Sequence, residues 1–365
     1  MTGGIVHGGI DPSELARFGL TGETVCDFSV NSNPFGPSPR VVAAMRSVDL
    51  SRYPDRACAA LRAAICNVEL AGWAVALDEV LCGNGAAELV WAITRARLVP
   101  DARGAIIGPT FGEYVAACAA AGVTVSEYQA SAAAAYRPDV IAVRAWLVAM
   151  QPAIVWLCNP NNPTGHWLPE VAVREIAATC AGIGAWLVVD EAYWRFLVPA
   201  EPFSAVGLVH ELPDTVVVLR SLTKDYALAG LRLGYLVAAP AMIARIAAQL
   251  PSWNVSGPAQ AAGIAAMNDE TFLADSLARL HGERAAFFTA LGDAGFSMVP
   301  SRTHYCLVDV GDGAAVRATL LPRGLLVRDC ASFGLPRYIR VATRPEREWR
   351  RLVAALEDVC RSPVR

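Results

Sequence analysis

The sequence predicts an α/β protein with a mostly parallel sheet in a large domain and a smaller α+β domain beside it. Three observations carry this reading. The chain has 365 residues, beyond the size at which a single core grows efficiently, so two lobes are expected. Short β-branched runs alternate with longer Ala/Leu-rich stretches of helical period, as in a parallel sheet covered on both faces. After one long helical stretch the pattern changes to short apolar runs separated by charged and Gly/Pro segments, the mark of a small mixed lobe. The expected division is an arm over residues 1–45 joining the small domain, a large domain over 46–250 and a small domain over 251–365.

Taken in chain order, Leu81–Leu89 reads as a strand, a Gly-Asn-Gly turn and the start of an apolar helix. Strands are expected at Ala105–Ile107, Val123–Val125, Ile154–Leu157, Trp186–Val189 and Val216–Leu219, with helices such as Pro169–Cys180 between them. A long helix follows, because Leu273, Leu277, Leu280, Phe287 and Leu291 recur on one face. The small lobe then takes the runs Tyr305–Val310, Leu325–Val327 and Tyr338–Val341. No repeat or low-complexity tail interrupts this order.

Composition narrows the function. The apolar runs break before about 18 residues, so no membrane span is expected, and the first residues lack the basic and apolar regions of a secretory signal. A cytoplasmic protein follows. Ten cysteines with no Cys-x-x-Cys pair, most in apolar segments (Cys82, Cys118, Cys158, Cys180), read as buried reduced thiols rather than disulfides or a metal site. A formal charge of −3 with interspersed signs offers no stripe for nucleic acid. A small-molecule partner is the remaining expectation.

The densest chemical signal is LRSLTKDYALAGLRLGY at residues 219–235. A lysine at the carboxyl edge of a sheet can form an imine with an aldehyde, and Ser221 and Arg232 near Lys224 can hold a phosphate. The same residues would equally suit a solvated loop with a capping serine. Upstream, Asn159–His166 is a turn rich in Asn, Pro and Gly after a buried strand, and VVDEAY ends the next strand at Asp190, where open α/β sheets bind ligands. Asn162 and Tyr193 are either polar ligands there or turn-closing residues. The turn at Gly85 and Ala86 leaves free N–H groups at a helix start, suited to an anion. It has neither the full Gly-x-Gly-x-x-Gly spacing nor a Gly-Lys-Ser/Thr ending.

In this order, from Asp27 to about Glu357, the motifs resemble the fold-type I superfamily of pyridoxal phosphate (PLP)-dependent aminotransferases. The resemblance implies PLP carried as an imine on Lys224, Asp190 against the pyridine nitrogen, and Asn162 and Tyr193 against the phenolic oxygen. An anion beside that nitrogen keeps it protonated, which makes the ring an electron sink. It also implies Phe111 of GPTFGEY stacked on the ring, and a phosphate held by Gly85, Ala86, Ser221 and Arg232. Tyr53 of SRYPD would join that phosphate from a second subunit, so a homodimer with shared active sites is implied.

Two reactions compete within the resemblance. NSNPFGPSP and DYALAGLRLGY are similar to histidinol-phosphate aminotransferases; the HGG at His7–Gly9, GPTFGEY, VLRSLTK and VRDCASFG followed by YIRVATR are similar to the L-threonine-O-3-phosphate decarboxylase of cobalamin synthesis. The expectation drawn is the decarboxylase, a lyase giving 1-amino-2-propanol phosphate, with the aminotransferase as alternative and a non-catalytic PLP-binding regulator as second alternative. Arg340 would hold the substrate carboxylate, and Arg328, His7 and Asn31 would surround its phosphate or carboxylate. The arm at His7 would exclude water. Against these, Arg328 and Arg340 could be surface ion-pair residues. The chain departs from the family pattern at Ile10, where Asn is usual, and at Thr303-His304-Tyr305, where an Ala-Asn-aromatic turn is usual. His304 is expected to be a packed residue, or else a replacement for a substrate-touching Asn.

Overall fold

The computed structural model describes residues 8–99, 101–198 and 203–361. Its strands are β1 (Cys26–Asp27), β2 (Val80–Asn84), β3 (Arg103–Gly108), β4 (Thr124–Gln129), β5 (Ile154–Cys158), β6 (Trp186–Asp190), β7 (Val216–Ser221), β8 (Leu233–Val237), β9 (Tyr305–Asp309), β10 (Leu325–Leu326), β11 (Arg328–Asp329) and β12 (Tyr338–Ala342). Seven of them form the large sheet in the order β2-β8-β7-β6-β5-β3-β4. Every pairing in it is parallel except those of β8, which runs antiparallel to both neighbours.

The inner strands β5, β6, β7 and β8 are buried along their whole length. Helices cover both faces, which is why these strands read as continuous apolar runs rather than as alternation. One face packs Leu61, Ile65, Val173, Ile176 and Leu208 against the sheet; the other packs Leu89, Ile93, Tyr114 and Ile246. Helix starts follow the local chemistry. Asp139 caps Val140–Met150 by accepting from the Ile141 N–H at 2.9 Å, and Ser38 caps Pro39–Arg46 by accepting from the Arg40 N–H at 3.1 Å.

A second, antiparallel sheet, β11-β12-β9, carries its own core with the long helix Glu270–Asp293 and the C-terminal helix Glu346–Arg361. Phe287, Leu291, Trp349 and Leu352 fill it, together with Phe28 from the amino-terminal segment. That segment also adds β1 in parallel to β10, with Cys26 opposite Leu325 and Asp27 opposite Leu326.

Seven expected strands of the large and small lobes appear within a residue or two of their expected bounds. The differences have physical reasons. β4 begins at Thr124 and runs to Gln129; as an edge strand it is half exposed and lacks a dense apolar signature. The segment 219–235 was expected to hold one strand end and contains two, because β8 returns antiparallel beside β7 with Ser221 opposite Gly234. β1 is two residues long and stands in a polar context, below what periodicity can detect.

Candidate active site

The carboxyl ends of β2, β5, β6 and β7 lie on one edge of the sheet, and Asn84, Cys158, Asp190 and Ser221 terminate them. Arg232 precedes a strand rather than following one, yet it reaches the same edge because β8 is antiparallel. The sequence-predicted residues 85, 86, 190, 221, 224 and 232 therefore gather at one place.

Gly85 has φ +77°, and a Cβ added there would stand 2.7 Å from the Arg232 guanidinium. Only glycine lets that cation close on the amino end of the helix Gly85–Arg97. Ala86 is equally close: a Cβ on Gly234 would meet its amide nitrogen at 2.7 Å. The Ser221 and Thr223 hydroxyls, both on buried residues, lie 2.6 Å apart. Exposed N–H groups at a helix start, two hydroxyls and a guanidinium make a phosphate-sized cradle. Thr223 was not foreseen, although it sits inside the Ser-x-x-Lys run.

Asp190 is buried and accepts hydrogen bonds from the Tyr114 hydroxyl at 2.6 Å and the Ala192 N–H at 2.9 Å. Burial pushes its carboxyl upward, against those bonds. Tyr114 lies parallel to Trp156 at 4.8 Å and meets Phe111 edge-on at 5.6 Å. Sequence reading missed Tyr114. Its signal was the spacing Phe111-x-x-Tyr114, which puts both rings on one side of a helical turn.

Lys224 is partly covered, and its ammonium is pushed down to about 8 by burial and by the Arg340 and Arg232 charges, with Asp190 opposing. Its backbone carbonyl accepts from the Asn33 N–H at 2.8 Å, so the amino-terminal segment is tied to the lysine loop.

Arg328 and Arg340 are only 4% and 5% exposed, which rules out the surface ion-pair reading. They stand opposite each other on β11 and β12. Arg340 donates to the Asn162 side-chain oxygen and to the Ser29 carbonyl, and its guanidinium lies 5.7 Å from the Tyr305 ring centre. With its oxygen so occupied, Asn162 offers its NH₂ as the free donor end. Arg328 donates to Ser332 Oγ at 2.6 Å and lies over Phe333. It borders a cavity of about 350 Å³ whose other walls include Gly8, Gly9, Ser29, Arg317 and Asp329. Asn31 is buried beside Tyr193. His7 lies outside the described residues.

Tyr193 is buried in edge contact with Tyr305 at 5.0 Å. His304 is wholly buried and stacks on Phe196 at 3.9 Å. Burial and the Arg340 charge hold it neutral. It is a packed residue. Tyr53 stands apart from this cluster: it is 81% exposed and stacks on Trp253 at 4.7 Å. All ten cysteines are free thiols, and no group of three or more metal-ligating side chains occurs among the described residues. No helix among them is long and apolar enough to cross a membrane.

Comparison with known proteins agrees with this geometry. The family model for aminotransferase class I and II matches residues 23–356. A histidinol-phosphate aminotransferase of Symbiobacterium thermophilum is 35% identical over 330 residues, covering 90% of this chain and 88% of that protein. Histidinol-phosphate aminotransferase 2 of Ralstonia nicotianae is 34% identical over 355 residues, covering 95% and 92%. The crystal structure of histidinol-phosphate aminotransferase from Sinorhizobium meliloti in complex with pyridoxal-5'-phosphate superposes with TM-score 0.86 at 26% identity, covering 97% of this chain and 95% of that one. These relatives carry the name of the alternative reaction, not of the decarboxylase, and their being enzymes displaces the regulator reading. The chain belongs to the aminotransferase class I and II family and is an enzyme of the fold-type I, PLP-dependent architecture.

Proposed function

We propose that the protein is an aminotransferase that exchanges an amino group between a phosphorylated amine of the histidinol phosphate type and a keto acid. The supporting observation is the pair of buried guanidiniums, Arg340 and Arg328, side by side on neighbouring strands, with the Arg340 charge felt at Lys224. A transaminase must admit two anions in turn, a carboxylate on the keto acid and a phosphate on the amine, and a guanidinium fork suits both.

The residues present fit PLP. Asp190 is a buried acid whose charge is favoured once a protonated pyridine nitrogen lies beside it. Gly85, Ala86, Ser221, Thr223 and Arg232 would take the phosphate, with Tyr53 of a second subunit. Asn162 and Tyr193 would face the phenolic oxygen, and Phe111 the ring. When bound, the cofactor supplies an electron sink that lowers the cost of taking a proton from the α-carbon. Lys224, with its basicity near 8, is matched to moving that proton close to neutral pH. Arg340 would orient the carboxylate, while Arg328, Asn31 and His7 would surround the phosphate. The division into an arm over 1–45, a large domain over 46–250 and a small domain over 251–365 belongs to this proposal, as does a homodimer. A cytoplasmic setting suits ten free thiols, which persist where the surroundings are reducing.

Decarboxylation of L-threonine phosphate is the second reading, since that one molecule carries both anions the two arginines could hold. The assay separates them. PLP-loaded protein given histidinol phosphate and 2-oxoglutarate is expected to form glutamate, and L-threonine phosphate alone to release no carbon dioxide. Carbon dioxide release without glutamate formation would replace the aminotransferase with the lyase.

A further inference from the structure

Three pairs of neighbours in sequence share a pattern. Asp190, Ser221 and Lys224 face the candidate site, and the residue beside each, Glu191, Arg220 and Asp225, is buried in a network of charges behind it. In the strands this follows from alternation, which sends successive side chains to opposite faces.

The network is closely knit. Arg220 donates from Nε and Nη2 to Glu191 Oε2 at 3.1 and 2.9 Å, and from Nη2 to Ser204 Oγ at 2.8 Å. Glu191 Oε1 accepts from the Ala205 N–H at 2.7 Å. The Arg220 guanidinium is 4.1 Å from the Trp194 ring centre. Its Nη1 is buried without a hydrogen bond and lies 3.6 Å from Glu69 Oε2. Arg195 joins Glu69 to Asp225, donating from Nε to Glu69 at 3.2 Å and lying 3.8 Å from Asp225. The Tyr226 and Tyr235 hydroxyls also bond Glu69.

Such a network serves fit more than stability, because two buried charges cost nearly as much to desolvate as they return by attraction. Its geometry, by contrast, is stiff. Each charge has fixed partners, and a planar fork fixes direction as well as distance.

We propose that Glu191 and Arg220 are positioning residues for the reaction, their buried ion pair setting the placement of Asp190 on β6 and Ser221 on β7. The pair bridges the two strands just where they end, so a shift in it moves the acid and the hydroxyl relative to Lys224. Asp190 lies near enough to Lys224 to bear on its charge, so the placement of Asp190 is read out at the lysine. This inference rests on the reading that Lys224 carries PLP.

The test compares Arg220→Lys, Glu191→Gln and the milder Ser204→Ala with the wild type, all PLP-loaded, by titrating the visible absorption of the Lys224–PLP linkage with pH. In folded variants the expected result is a shift of the midpoint by about half a pH unit, with kcat reduced about 10- to 100-fold and KM little changed. Ser204→Ala, which removes one neutral partner, should fold as the wild type does and show a smaller shift in the same direction. A wild-type midpoint in Ser204→Ala together with wild-type kcat overturns the inference even where the charge variants fail to fold. A wild-type protein with no visible band overturns the cofactor reading and this inference with it, whereas a normal band with unmoved midpoints overturns only the inference.

Discussion

Lys224 holds two properties that pull against each other in an ordinary lysine. It is a cation by default, and it has to be a neutral amine to attack a carbonyl. Burial and two flanking guanidiniums push it down to about 8, so in cofactor-free protein the reactive fraction is minor below pH 8 and dominant above. The rate of forming the visible band on adding PLP is therefore expected to climb between about pH 6 and 8 and to level off beyond, following the free-amine fraction. Lys224→Ala should form no such band at any pH. A rate independent of pH across that window would show that another group limits capture. His304 illustrates the opposite case at this scale. Its sequence context offered packing or substrate contact, and the structure places it wholly buried against Phe196.

At the scale of elements, β8 organises the site. Because it returns antiparallel beside β7, one continuous stretch from Ser221 to Arg232 supplies hydroxyl, amine and guanidinium from two ends of a hairpin. Gly234 makes this possible: a Cβ there would lie 2.7 Å from the Ala86 nitrogen and 2.9 Å from the Arg220 carbonyl, both backbone atoms that cannot swing aside. Gly234→Ala is expected to destabilise the fold by about 1–3 kcal/mol, as overpacking does, and to weaken PLP binding as the helix start is pushed from Arg232. Denaturant unfolding and fluorescence titration with PLP read the two effects. The parallel strands and their carboxyl-edge residues were legible in the sequence, because burial on both faces writes long apolar runs and motifs sit where those runs stop. β8 was not, since the sequence around it reads first as a motif and only then as a strand. Tyr114 and the charge network were hidden for a related reason. Their partners, such as Glu69 and Arg195, lie 126 residues apart and meet only through tertiary packing.

For the whole molecule, the Tyr53–Trp253 pair stands exposed on the surface. Contiguous exposed apolar surface is where another molecule can dock. If Tyr53 completes the phosphate site of a partner subunit, two inactive variants complement each other. Tyr53→Ala and Lys224→Ala proteins, unfolded and refolded together, are expected to recover about a quarter of wild-type activity in the statistical mixture, since half of the dimers then carry one intact site. Recovery no greater than the sum of the separate variants would place Tyr53 outside the site.

The amino-terminal segment meets the β11–β12 lobe through a ladder of two residues, β1 on β10, through the Glu14–Arg317 pair at 2.8 and 2.6 Å, and through Phe28 and the Ser29 carbonyl, which reach its core and Arg340. A two-residue ladder at the margin of the fold opens at less free energy than the central sheet. Amides of β1 are thus expected to exchange with deuterated solvent orders of magnitude faster than those of β6 and β7. Phosphate ions that occupy the cavity under the segment should slow the first set and leave the second untouched.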